Sequence, residues 1–274
     1  MNNRSTAALG IFDSGVGGLS VLKAIRAQMP GEAIIYLGDQ VHVPYGPRPL
    51  EQVRAFSEEI TRFLLVKDVK LIVVACNSAS AAALPYLRAT FPEVPFVGME
   101  PAVKPAAEQT RSGIVGVLAT PATFQGALYA SVIERFAQDV TVLQHTCPGL
   151  VAQIEKGALE APETEAILRE ALTPMLAEGI DTVVLGCTHY PFVIPLIQRI
   201  VGQAVRVIDP APAVARQAGR LLDAHRLRSA GGQNAPITYY SSTEPTALQS
   251  LLPVLIGQPG EVRKISWVKD RLRE

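Results

Sequence analysis

Neither sign of charge is in excess in this sequence. Its 25 Lys and Arg balance 25 Asp and Glu, and no basic cluster stands out. A nucleic-acid binder carries a basic footprint, so no nucleic-acid partner is expected. Long apolar runs are missing too. None approaches the roughly 18 residues of a membrane span, and the opening MNNRSTAALGIF has no apolar stretch of signal-peptide length. The expectation is a cytoplasmic protein with no membrane partner. Cysteine is scarce: Cys76, Cys147 and Cys187 form an odd, widely spaced set without a CxxC pair. Such a set is not a disulfide framework, and it gives zinc or thioredoxin-like chemistry little support. The four histidines (His42, His145, His189 and His225) are scattered, and there is no HExxH. No metal site and no cofactor are expected. The turn Gly15-Val-Gly17-Gly18 matches neither the dinucleotide GxGxxG nor the P-loop pattern. It reads as a tight strand-to-helix turn, with a phosphate-binding turn as the alternative.

What is present is a globular chain of 274 residues, 48% hydrophobic, long enough for one large or two small cores. Strand and helix signals alternate from end to end. Strands are expected at Leu9–Phe12, Ala33–Leu37, Leu71–Ala75, Val94–Val97, Ile114–Leu118, Val140–Leu143, Val183–Leu185, Val205–Ile208, Ile237–Tyr240 and Val262–Trp267. Helices are expected from about Leu19, over Leu50–Val66 and over Ala79–Ala89. This alternation predicts an α/β fold of parallel sheets covered by helices on both faces. The chain also looks faintly duplicated, with Gly10-Ile-Phe-Asp13 and Gly113-Ile-Val-Gly116 as the two openings. The alternative is the general likeness of any two α/β segments. The turn Asp209-Pro-Ala-Pro212 offers a place for the chain to return to the first half.

Two cysteines occupy matching contexts, one in each half. Cys76 follows the apolar run Leu71 to Ala75, and Cys187 follows Thr182 to Gly186. Ligands bind at the carboxyl ends of strands in open parallel sheets, so each half offers one thiol where such folds do chemistry. Two thiols approaching one carbon from opposite faces would suit a proton-swapping racemase. Polar residues surround both: Asp13-Ser14, Gly38-Asp39 with Pro44-Tyr45-Gly46, Asn77-Ser78, and Thr188-His189. Helix N-caps are the alternative reading of Ser14, Ser78 and Thr188, and a cap that of a strand-end Asp. A carboxylate or imidazole beside a thiol can exchange its proton. Cys147, before Pro148, reads as an inert buried thiol.

The segments FDSGVGGL, PYG, ACNSAS, LVAQIEKG and GCTHYP, in this order, closely resemble the glutamate racemases. The resemblance runs from Gly10 to about His225. It implies two similar doubly wound parallel-sheet domains related by pseudo-twofold symmetry, with the active site in the cleft between them. The first domain would be discontinuous, residues 1–98 plus 209–274, and the second would span residues 99–208. The implied reaction interconverts L- and D-glutamate without a cofactor and supplies D-glutamate for peptidoglycan. Carried over by motif, Cys76 and Cys187 are the acid/base pair. Asp13, Ser14, Tyr45, Gly46, Asn77, Ser78, Thr188 and His189 are substrate-binding positions. Asp13, Asp39, Glu155 and His189 match residues that assist proton transfer. The implied partner is glutamate, and a homodimer is compatible with the resemblance. Two departures stand out. Serine replaces the common threonine at Ser78, and Asp39-Gln-Val-His-Val43 replaces a segment that carries Thr and Arg in many members.

Overall fold

Ten of the chain's strands assemble into two separate parallel sheets in a computed structural model that describes residues 4–274. The first contains β1 (Leu9–Asp13), β2 (Ile34–Gly38), β3 (Leu71–Val74), β4 (Phe96–Gly98), β9 (Ile237–Ser241) and β10 (Val262–Lys264). The second contains β5 (Ile114–Ala119), β6 (Thr141–His145), β7 (Thr182–Gly186) and β8 (Arg206–Ile208). A small antiparallel hairpin, β11 (Ser266–Val268) and β12 (Arg271–Arg273), closes the chain. The helices are α1 (Leu19–Gln28), α2 (Leu50–Val66), α3 (Asn77–Thr90), α4 (Val103–Gln109), α5 (Pro121–Gln125) and α6 (Ala127–Phe136). They continue with α7 (Leu150–Glu155), α8 (Pro162–Ala177), α9 (Ile194–Val201), α10 (Ala211–Ala224) and α11 (Pro245–Ile256).

The first sheet has the order β10-β9-β2-β1-β3-β4, and the second β6-β5-β7-β8. Four strands of the first thus repeat the whole of the second: 2-1-3-4 answers 6-5-7-8. The internal likeness in the sequence is therefore one of topology, with β1 equivalent to β5 and β3 to β7. The central strands are apolar through their length because both faces are covered. Every residue of Leu9–Asp13, Leu71–Val74 and Thr182–Gly186 is buried. In register, Ile11 lies beside Tyr36 and Val73, and Val117 beside Val184.

The chain after Asp209 returns to the first sheet, as the Pro-rich turn suggests. Helix α10 packs on α1, and β9 pairs with β2. One apolar cluster joins both halves, from Leu9 and Ile11 to Leu118, Leu150, Leu185 and Tyr190. The expected strand Val262–Trp267 is in fact two. Ile265 is fully buried, its N–H donates to the Ser241 carbonyl, and the chain then leaves the sheet for the hairpin. Strand β12 carries no turn signal in the sequence, because the hairpin bends at Lys269 and Asp270, both at positive φ and neither a Gly or Asn. The strand expected at Val94–Val97 lies two residues later, at Phe96–Gly98, after the turn containing Pro92 and Pro95. Among the described residues, no helix is long and apolar enough to cross a membrane.

Candidate active site

Strands β1, β3, β5 and β7 all point their carboxyl ends at one cavity. Its walls are Ser14 after β1, Pro44-Tyr45-Gly46 beyond β2, Cys76-Asn77-Ser78 after β3, Thr120 after β5, and Cys187-Thr188-His189 after β7, with Val151 on α7. Both thiols are 4% exposed. The strand ends thus converge as parallel sheets require, and the two halves face each other across the space. A larger cavity lies elsewhere, between α3, α4, α6 and α10, and holds none of these groups. The converging polar groups and the two thiols mark the smaller one as the candidate site.

Cys76 caps α3: the Ala79 N–H donates to its sulfur at 3.4 Å, and the thiol lies 3.9 Å from Ser14 Oγ. Burial raises the Cys76 thiol well above its ordinary value, and the Asp13 carboxylate raises it further. This sulfur therefore rests as a neutral thiol. Cys187 has a different neighbour. His189 Nδ1 lies 3.8 Å from its sulfur, and His189 Nε2 lies 2.6 Å from Glu155 Oε1. Burial alone would make that ring neutral, but hydrogen bonds to Cys187 and Glu155 outweigh it and hold the imidazole protonated well above its ordinary value. The site thus presents one neutral thiol and one sulfur paired with an imidazolium.

Asp13 is fully buried and holds the cleft closed. Its Oδ1 accepts from the Gly15 N–H at 2.7 Å, and its Oδ2 accepts from Thr188 Oγ1 at 2.9 Å. Burial pushes this carboxyl up, against the lowering effect of His189 and of the Gly15 and Thr188 hydrogen bonds. Glu155 bridges in the same way, accepting from the Val16 N–H at 2.8 Å. These contacts explain the glycine turn. A Cβ on Gly15 would fall 1.9 Å from Glu155 Oε1, and one on Gly17 would fall 2.4 Å from His189 Nδ1. Side chains of the other half thus press on Gly15 and Gly17, while Gly18 is crowded by Asp13, Ala75 and Tyr36 of its own half.

Of the residues singled out in the sequence, Ser14, Tyr45, Gly46, Cys76, Asn77, Ser78, Cys187, Thr188 and His189 line the cavity. Asp13 and Glu155 stand one contact behind it. Asp39 also stands behind it, with its carboxylate occupied by Tyr45 OH at 2.6 Å, His42 Nδ1 at 2.8 Å and Trp267 Nε1 at 2.8 Å. That placement puts Asp39 one contact from the cavity, behind the Tyr45 side chain that lines it. The Asn77 amide is buried, and neither its oxygen nor its nitrogen has a partner. Buried polar atoms are normally satisfied, so this amide is prepared for a ligand. Val151 and Thr120 are the wall residues that sequence reasoning did not single out, and Thr120 is the polar one. Its hydroxyl pairs with Ser78 Oγ at 2.9 Å and Thr123 Oγ1 at 3.0 Å. It ends a central strand, the same signal that identified the cysteines. Among the described residues, no group of three or more His, Cys, Asp or Glu could hold a metal ion.

The fold and the cavity define a class: a two-domain α/β protein with one thiol from each half in a closed interdomain site. Residues 17–218 match the Asp/Glu/Hydantoin racemase family, and the chain belongs to it, an isomerase of amino-acid racemase type. It is 50% identical over 260 residues to glutamate racemase of Pseudomonas aeruginosa, covering 95% of this chain and 98% of that one. The solved structure of Escherichia coli glutamate racemase, in complex with L-glutamate and the activator UDP-MurNAc-Ala, is similar at a TM-score of 0.83. Its identity is 32%, over 94% of this chain and 97% of that chain. Glutamate racemase from Francisella tularensis, in complex with D-glutamate, is similar at a TM-score of 0.82 and 28% identity, over 96% and 98%.

Proposed function

We propose that this protein interconverts L- and D-glutamate by moving a proton between two cysteines, without a cofactor. The observation that carries the reading is the placement of Cys76 and Cys187 at equivalent strand ends on one buried cavity, together with the unpartnered Asn77 amide. The relatives and solved structures that resemble the chain are named as glutamate racemases, which supports glutamate as the substrate.

The α-proton of an amino acid is very weakly acidic. Removing it needs placed hydrogen-bond donors for the developing charge and a water-poor site. The cavity supplies hydroxyls from Ser14, Ser78 and Thr120, the Asn77 amide, and the Tyr45-Gly46 segment, while the Thr188 hydroxyl is committed to Asp13. In the L-to-D direction, the Cys187 thiolate takes the α-proton, and the neutral Cys76 thiol gives its own proton to the opposite face. The product leaves with Cys187 protonated and Cys76 as thiolate, so the reverse reaction starts from the mirror state. The imidazolium of His189 stabilises the Cys187 thiolate, and Glu155 holds that ring in place. Asp13 acts on the Cys76 side through burial and charge. In the same reading, residues 1–98 plus 209–274 form one domain and residues 99–208 the other. The protein works in the cytoplasm, where its D-glutamate enters peptidoglycan. A homodimer is compatible with this arrangement.

The test separates the two thiols. Cys76→Ser and Cys187→Ser should each abolish racemisation, followed by circular dichroism with L-aspartate run alongside L-glutamate. An analogue such as N-hydroxyglutamate needs only proton abstraction before it eliminates. Cys76→Ser should keep elimination from the L-analogue, and Cys187→Ser from the D-analogue. Near-normal racemisation by either variant would show that the thiol pair is not the machinery.

A further inference from the structure

We propose that Trp267, with His42, is a positioning residue for the substrate-binding loop, acting through Asp39 on Tyr45. The inference rests on the racemase reading and adds to it two side chains that lie outside both cysteine motifs.

The loop in question links β2 to α2 and carries Tyr45 and Gly46 into the cavity wall. Asp39 begins it, fully buried, and both of its carboxylate oxygens are in use. Oδ2 accepts from Tyr45 OH and from His42 Nδ1, while Oδ1 accepts from Trp267 Nε1. Only Tyr45 among these three donors lines the cavity. The other two fix the carboxylate on both sides, so it cannot rotate away from the tyrosine. Burial and the adjacent Asp39 push the Tyr45 hydroxyl well above its ordinary range, which keeps it a donor.

The rings are stacked to hold this arrangement. His42 lies flat on Phe56, with centroids 3.9 Å apart and an interplanar angle of 11°. Trp267 meets His42 edge-on at 5.0 Å and Phe56 at 5.5 Å. Arg48 Nε donates to the His42 carbonyl at 2.7 Å and ties the far end of the loop to its start. Beyond Tyr45, the Gly46 carbonyl accepts from the Ala122 N–H at 3.1 Å, in the second half. The hairpin that carries Trp267 thus reaches the substrate wall by two routes, the hydrogen bonds through Asp39 and the Phe56 ring, which lies 5.7 Å from Tyr45. A loop held in its binding geometry saves the ligand the cost of ordering it. Loss of a donor should therefore appear in substrate binding and leave the proton transfer between the thiols unchanged.

Trp267 is the sole tryptophan in the sequence, so its emission reports on this loop. Titrating the wild type with D-glutamate should change that emission saturably, with a midpoint near KM. Tyr45→Phe removes the hydroxyl that links the cavity to Asp39, and should abolish the response. Trp267→Phe keeps a ring and removes the donor. It should raise KM about tenfold, equivalent to about 1.4 kcal/mol and close to the lower range for a hydrogen bond to a charged group, with kcat within about twofold. His42→Phe keeps the stack on Phe56, loses the other donor, and should move KM in the same direction. It also serves if Trp267→Phe does not fold. A purely structural role would lower the melting temperature and leave KM of the folded enzyme unchanged. That result, or a fall in kcat at constant KM, overturns the proposal, as does emission that does not respond to glutamate. Failure of the wild type to racemise glutamate at all would instead refute the functional reading on which the proposal stands.

Discussion

Glu155→Gln isolates the part that charge plays beside Cys187. Glutamine keeps the side-chain shape and the acceptor for the Val16 N–H, and removes only the negative charge 2.6 Å from His189 Nε2. A hydrogen bond between charged groups contributes about 1.5–3 kcal/mol, and each 1.4 kcal/mol or so is a factor of ten in rate. The expected loss in kcat/KM is therefore about tenfold to about a hundredfold. The sign of the pH effect follows from the ring. Burial lowers the His189 pKa, and contacts with Cys187 and Glu155 reverse that to a net rise. Without the carboxylate, burial counts for more, and the imidazolium is lost at lower pH. The alkaline limb of kcat/KM should move toward neutrality. Stability obeys the same linkage. A raised folded-state pKa contributes in full below the unfolded value near about 6.5 and fades as pH rises through the folded value. The gap in melting temperature between wild type and variant should be widest on the acid side of neutral and close toward alkaline pH. Circular dichroism of glutamate racemisation across pH measures the rates. A folded Glu155→Gln with wild-type kcat/KM and an unmoved alkaline limb would refute the reasoning.

Three further outcomes are expected. Cys147→Ala should keep most activity: the thiol is buried beside Leu150 and Tyr190, and burial, then Cys187 and Glu170, push its pKa up to about 12. A loss in kcat/KM beyond about a hundredfold, roughly 2.7 kcal/mol, would give this thiol a part in catalysis. Gly46→Ala would place a methyl 2.8 Å from Thr120 Cβ, which cannot swing aside. KM should rise about tenfold as the loop is pushed from the wall, with overpacking costing about 1–3 kcal/mol in denaturant unfolding. Asp181→Asn should destabilise the second sheet in a pH-dependent way. Burial raises the Asp181 carboxyl, but hydrogen bonds from Thr110, Ser112 and Arg111 outweigh it and hold the pKa at about 2. A lowered pKa contributes stability above the unfolded value and loses it as pH falls, so urea unfolding should show a deficit of at most about 2 kcal/mol near pH 7, discounted for partial exposure. The deficit should vanish between about pH 4 and pH 2.

The candidate site was legible wherever chemistry coincided with a strand end. ACNSAS and GCTHYP each place a thiol just beyond a buried run, and the structure brings both to one cavity. The same reasoning reaches Thr120, which closes the run Ile114–Ala119. Its neighbours lack a reactive group, so nothing in the local sequence set it apart. Asp39 shows what such reasoning cannot see. It ends a strand among site motifs, yet three donors from loop, loop and hairpin consume its carboxylate. One of them, Trp267, lies 228 residues away in sequence, and no local pattern announces such a contact.

By itself, the sequence determined the α/β class, the parallel strands and the placement of Cys76 and Cys187 at strand ends. Each of these follows from interactions within a few residues: apolar runs that need cover on both faces, and a polar group where a strand hands over to a helix. The tertiary structure decided everything that depends on pairing distant segments. It made the repeat visible as matching strand orders, split the last expected strand at buried Ile265, and sent the chain after Asp209 back to the first sheet. It also set the two sulfurs apart, one neutral by burial and the other beside an imidazolium. That difference is electrostatic. It depends on which charges are buried together, and Asp13, Glu155 and His189 meet only because two sheets close on each other.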